Sequence, residues 1–470
     1  MTAATANGNF GWFAIARLGL VQACLGSVVV LTTSTLNRVM VVELALPALL
    51  PGVLVALHYL IQVVRPRMGH GSDVGGRRTP WMIGGMAALA IGGVTSAAAT
   101  VWMATQPTAG IALAVLGFSM IGLGVSACGT SLLVLLAKRV VENRRAAAAT
   151  IVWMMMIVGF AITAGVAGKL LDPYTPERLL MVSGGVSALA FMVTLCALWG
   201  LEQHGGDQKL SAAEQPKRAH VPFATALSQV WRDDAARRFT IFVFVSMLAY
   251  SSQDLILEPF AGSVFGYTPG QSTQLSGVQH GGVLLGMVLV AVAGSGLLGR
   301  MLSRLGLRRG CEQLGSLRAW AVGGCLASAL ALLGLVVAGL SGGVWPLAAT
   351  VFVIGAANGA FSIAAIGSMM SLAGQGQQAR EGVRMGLWGA AQAVAFGLGG
   401  VIGTGASDLS HWLIGVTGPA YSAVFAFEAA LFVLAAWLAF RSIALPSPSQ
   451  KSVVDAGPPQ GSGVPVLSVQ

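Results

Sequence analysis

Apolar residues run through this chain in long blocks, and most of its charges sit in the breaks between them. Divided at charged or Pro/Gly-rich breaks, the runs fall at 12–37, 45–64, 81–104, 109–136, 146–168, 178–201, 239–260, 274–298, 317–340, 345–372, 383–405 and 419–440. Each is about 20 residues or longer, the length a helix needs to cross the hydrocarbon of a bilayer. None alternates strictly between polar and apolar, as a barrel strand would. Hydrocarbon offers no partner to a backbone N–H or C=O, so each run must satisfy its own hydrogen bonds as a helix. The pattern predicts an all-α integral membrane protein with 12 transmembrane helices.

Composition agrees. Only 9% of residues are charged and 55% are hydrophobic, whereas a soluble domain carries roughly 25% charged residues. The net charge of +10 is a matter of topology rather than of a polyanionic partner. Of the 27 Lys and Arg, all but Arg38, Lys169 and Arg178 fall on one side of the predicted membrane, in even-numbered loops and at the ends. Basic residues stay on the cytoplasmic side, so both termini are expected in the cytoplasm. Charge spread thinly between apolar spans is not a nucleic-acid surface. The five cysteines are scattered, without metal-ligand spacing, and read as buried thiols.

Residues 202–236 form the one long polar stretch before the tail. The predicted organisation is a six-helix bundle at 1–201, a cytoplasmic linker at 202–236, a second six-helix bundle at 237–441 and a disordered cytoplasmic tail at 442–470. The halves read as pseudo-symmetric copies. Gly69-His70-Gly71-Ser72-Asp73-Val74-Gly75-Gly76-Arg77-Arg78 follows the second span, and Gly299 to Arg308 repeats its glycine and arginine spacing after the eighth. Gly159 and Gly165 recur as Gly397 and Gly403. The loop resembles the G-x-x-x-D-x-x-G-R-R signature of the major facilitator superfamily. That resemblance implies its fold, with Gly69, Asp73, Gly76, Arg77 and Arg78 as a conformational-latch loop.

Ionisable groups at membrane depth are costly and therefore candidates for function. Asn37, Arg38, Glu43, Asp254 and Glu258 stand out, beside His58, His280 and Glu428. Arg38 lies about 31 Å along a helix from Arg17, and Asp254 about 24 Å from Arg238. The first and seventh spans correspond across the pseudo-twofold. Arg38 is therefore expected to face Asp254 or Glu258 as an outer ion-pair gate, or else to sit with Glu43 in interfacial water. His58 falls about 10 Å from the inner end of its span, and His280 near the outer end of the eighth. No metal site, P-loop, Gly-x-Ser-x-Gly or HExxH appears, so no catalytic residue is assigned and no enzyme is expected.

Longer strings carry a narrower resemblance. Residues 35–47, Ala56-Leu57-His58, Arg65 to Asp73, Gln253 to Gly266 and Gln274 to Gly277 are similar to blocks of the PucC/LhaA family of phototrophic bacteria. This branch of the superfamily is linked to bacteriochlorophyll and to light-harvesting complex assembly. The resemblance implies a protein of the inner, intracytoplasmic photosynthetic membrane, with bacteriochlorophyll as bound cargo. It implies antenna polypeptides or pigment-synthesis enzymes as partners besides the lipid bilayer. His58 and His280 are then candidates for the axial ligand of the pigment magnesium. The alternative is a proton-coupled transporter of a small solute, with Asp254 and Glu258 titrating.

Overall fold

A computed structural model describes residues 10–62, 77–202, 231–294, 316–342, 344–374 and 381–443. Among them are twelve helices: α1 Trp12–Glu43, α2 Leu49–Ile61, α3 Thr79–Met103, α4 Pro107–Arg139, α5 Glu142–Leu171, α6 Pro176–Leu198, α7 Asp234–Phe265, α8 Pro269–Gly294, α9 Leu317–Leu340, α10 Leu347–Gly374, α11 Glu381–Ile414 and α12 Thr417–Ser442. Eleven are long and apolar enough to cross a membrane. The described part of α2 has 13 residues, fewer than a full crossing needs. The signature-loop residues Gly69, Asp73 and Gly76, the second copy at Gly299 to Arg308, and 444–470 of the expected tail lie outside the described residues.

Helix boundaries follow local chemistry. Pro107, Pro176 and Pro269 open α4, α6 and α8 at positions where the missing N–H costs nothing. The Asp233 carboxylate accepts from the N–H groups of Ala235 and Ala236, so α7 begins inside the stretch expected as linker. At its far end Gly266 takes φ 69° and turns the chain. Its N–H and that of Tyr267 close back on Gly262 and Ala261 at 3.1 and 3.2 Å.

Neighbouring helices respect a twofold relation. In the first half α1 packs on α5 and α6, α3 on α4 and α6, and α2 on α4. In the second half the matching pairs are α7 with α11 and α12, α9 with α10 and α12, and α8 with α10. The halves meet through α2 against α11 and α5 against α8, pairs that the symmetry exchanges. One predicted correspondence shifts. Gly159 lets α5 press onto α1 at Ala23, but in α11 it is Gly399 and Gly403 that press onto α7, at Leu248 to Ser252. Gly165 and Gly397 make no comparably close approach to the partner helix in their own half. The spacing match therefore keeps Gly403 as a contact glycine and misplaces the other by two residues, at Gly397 instead of Gly399. Each half has its own apolar core, and many large apolar side chains face outward where lipid would lie, among them Leu189, Leu330 and Trp412.

Candidate functional site

The start of α1 meets the end of α6 through Arg17, and the start of α9 meets the end of α12 through Arg318 and Phe440; the end of the bundle where α1 starts is the termini end. The opposite end is marked by Arg38, and there the halves are tied by polar contacts.

The tie is built on an irregularity in α1. Residues Leu31–Leu36 and Val39–Glu43 are wound as π-turns, a rare geometry that recurs at functional sites. A five-residue turn brings Arg38 under Glu43, whose Oε1 accepts from Nη1 at 2.6 Å. The same guanidinium donates from Nη2 to the carbonyl of Tyr267 across the halves at 2.7 Å. Gly262 makes room for it, since a Cβ there would lie 2.8 Å from Nη2. The arginine is 3% exposed. Of the two expected arrangements neither holds entire: the guanidinium pairs with Glu43 and lies within electrostatic reach of Glu258, but it is buried rather than in interfacial water. Tyr174, in the α5–α6 turn, has its hydroxyl pKa raised by burial and by the nearby Glu43 carboxylate, with Arg38 opposing.

Glu258 takes the hydroxyl of Ser34 from α1, with Ser272 and Ser276 close by. Thr35 and Thr273 share a hydrogen bond of 2.9 Å. Asn37 answers a defect in α7. Pro259 sits inside that helix and cannot donate to the carbonyl four residues back, which is Leu255. The Asn37 amide fills the gap, donating to Leu255 O at 2.6 Å.

Two carboxylates that sequence reasoning passed over complete the seam. Asp408 on α11 accepts from the N–H groups of Ala48 and Leu49 at 2.9 and 2.8 Å. It thereby caps α2, which has no side-chain cap of its own. Asp172 accepts from the Thr268 hydroxyl at 2.6 Å. A signal for Asp408 was present, because the start of the second span offers no Ser, Thr, Asp or Asn and needs an acceptor from elsewhere. Below these contacts α5 and α8 come together closely, Gly168 against Gly270 and Gly165 against Gly277. The seam is not fully satisfied: Asn37 Oδ1 and Arg38 Nε are buried without hydrogen-bond partners.

The remaining candidates are distributed. Asp254 accepts from Gln279 at 3.0 Å, within electrostatic reach of His280. His280 donates from Nδ1 to Ser276 O at 2.8 Å, leaving Nε2 as the acceptor nitrogen of the ring. It packs edge-on against Phe160 of the other half at 4.9 Å. It stands eleven residues into the 26-residue α8, near the middle rather than the outer end, because Pro269 starts that helix five residues earlier than predicted. His58 is buried in α2, where Gln62 Nε2 lies 2.9 Å from its Nε2. Both imidazoles are buried. Glu428 is fully buried in α12 with neither carboxyl oxygen hydrogen-bonded.

At the termini end, Arg17 donates to the carbonyls of Ala197 and Trp199 where α6 ends. Of the signature-loop arginines, Arg77 is exposed and Arg78 buried. The Arg78 and Thr79 N–H groups donate to Glu202. Among the described residues, no three His, Cys, Asp or Glu side chains cluster to hold a metal ion.

Two pseudo-symmetric bundles joined by a polar seam at one end define the major facilitator fold. The solved inward-facing, occupied structure of a bacterial homolog to the human lysosomal transporter Spinster has the same fold. It superposes with a TM-score of 0.62 over 95% of this chain and 98% of that one, at 14% sequence identity. The family described as PUCC protein matches residues 35–444, and the chain belongs to that family. It is 48% identical to the protein named bacteriochlorophyll synthase 44.5 kDa chain of Rhodobacter capsulatus, over 96% of this chain and 100% of that one. It is 29% identical to Protein PucC of the same organism, over 89% of this chain and 90% of that one.

Proposed function

We propose that this chain assists light-harvesting complex assembly by binding bacteriochlorophyll in the membrane and passing it on, without itself catalysing a reaction. The observation that carries the reading is the 48% identity over the whole of a relative named for bacteriochlorophyll synthesis. Identity to the relative named PucC is lower, which favours pigment-synthesis enzymes over antenna polypeptides as the first partners. Basic loops orient both termini to the cytoplasm of a photosynthetic inner membrane.

The residues fit a cargo of this kind. A chlorin is flat and apolar, with one axial site on its magnesium. His280 has its Nδ1 held by Ser276 O, which presents Nε2 as a ligand of the neutral tautomer. Trp153, Met154 and Met156 on α5, with Met287 on α8, supply an adaptable apolar wall. The seam keeps this wall shut, and its unsatisfied buried groups, each costing about 1–3 kcal/mol, leave the closed arrangement poised to part.

The second reading, a proton-coupled transporter of a small solute, is favoured by the buried Glu258 and the half-buried Asp254 beside the seam. Purification in mild detergent followed by absorption spectroscopy separates the two. Pigment bound to the native chain and lost from His280→Leu supports the proposal. Colourless protein that drives proton-dependent solute uptake in vesicles selects the alternative.

A further inference from the structure

On the outer face of the first half, α3 and α4 enclose an open groove of about 400 Å³ whose lining includes Trp81, Gly84, Gly85, Ala88, Leu123 and Ala127. The wall is almost wholly carbon. Two of its glycines differ in kind. Gly85 is required by the helix crossing, since a Cβ there would lie 2.5 Å from Cys128 N. Gly84 is not, because a Cβ there would meet nothing within 4 Å. A side chain at 84 would enter the groove rather than the helix crossing.

The groove has a charged mouth. Trp81, Gly84 and Ala88 share one helix face, and the exposed Arg77 stands just before Arg78, the N-cap residue with which α3 begins. On α4 the exposed Lys138 stands eleven residues beyond Ala127, again on the same face. The two helices cross where Gly85 meets Cys128. From that level the start of α3, which Arg77 precedes by two residues, is about 9 Å and Lys138 about 15 Å toward the termini end. Two cations therefore flank the mouth at similar depth, with Trp81 at the height where aromatic rings mark the membrane–water interface.

We propose that this groove binds an anionic phospholipid from the leaflet at the termini end, one acyl chain lying over Gly84 and Ala88 and the phosphate between Arg77 and Lys138. The site is independent of the pigment reading. Charge complementarity selects the lipid, because a neutral apolar helix would gain nothing from the paired cations.

The test is native mass spectrometry of the full-length chain titrated with phosphatidylglycerol or phosphatidylcholine of identical chains. The wild type is expected to bind phosphatidylglycerol roughly tenfold more tightly. Arg77→Gln with Lys138→Gln should abolish that preference and leave phosphatidylcholine binding unchanged. Gly84→Leu should weaken both lipids, and Ala88→Leu serves the same purpose should the first variant melt early in lipid-free detergent. Equal affinity for the two lipids in the wild type overturns the proposal. So does a preference that survives all the substitutions, or a photo-reactive side chain at Leu123 that captures a protein helix in membranes instead of lipid.

Discussion

Asn37 and Pro259 show how a single side chain can be required by a defect in another helix. The proline strips a donor from α7, and the amide from α1 replaces it at Leu255 O. Asn37→Ala should cost about 1–3 kcal/mol, the penalty for orphaning a buried carbonyl, read as reduced stability in detergent unfolding. The informative form is a double-mutant cycle. In a Pro259→Ala background the backbone N–H returns, so the same alanine should cost much less; equal costs in both backgrounds would refute the pairing. Asp408→Ala removes the cap of α2 and should destabilise by roughly 0.5–2 kcal/mol, whereas a change of no effect would mean that water caps the helix equally well. The proline lay in plain sight within a predicted helix, so the orphaned carbonyl was legible in the sequence. Its donor was not, because nothing in local sequence says which helix lies opposite.

At the scale of elements, apolar run length located the helices, since hydrocarbon leaves the backbone no other choice. What it missed was winding. No residue pattern announces the π-turns of Leu31–Leu36 and Val39–Glu43. They rotate Arg38 onto Glu43, a direct pairing that straight-helix depth counting did not distinguish from one with Asp254 or Glu258. The depth of His280 went astray for a more ordinary reason, an unused proline start signal at Pro269. Close approach of α5 and α8 depends on small residues. Gly168→Leu would drive a side chain into Gly270 O and Gln274 and should hold the seam ajar. A cysteine placed at the buried Ser276 should then react several-fold faster with a water-soluble maleimide. An unchanged rate would show that the seam tolerates the bulk.

For the whole molecule, the basic loops and the paired six-helix pattern made the architecture legible, and residue strings pointed to the family. Topology is directly checkable. Reporter fusions at the first and last residues should both signal from the cytoplasm, and opposite signals at the two ends would break the twofold description. The proposed pigment role requires the seam to open. Asp172 and Thr268 face each other across it at hydrogen-bond distance. Cysteines at these two positions, in a chain with Cys196 and Cys311 replaced by serine, would lock the seam shut on oxidation. The decisive measurement is the yield of assembled light-harvesting complex in membranes carrying that pair, oxidised and then reduced. Assembly that stops when the bridge forms and resumes when it is reduced is the predicted result. Full assembly with the bridge intact would contradict the account.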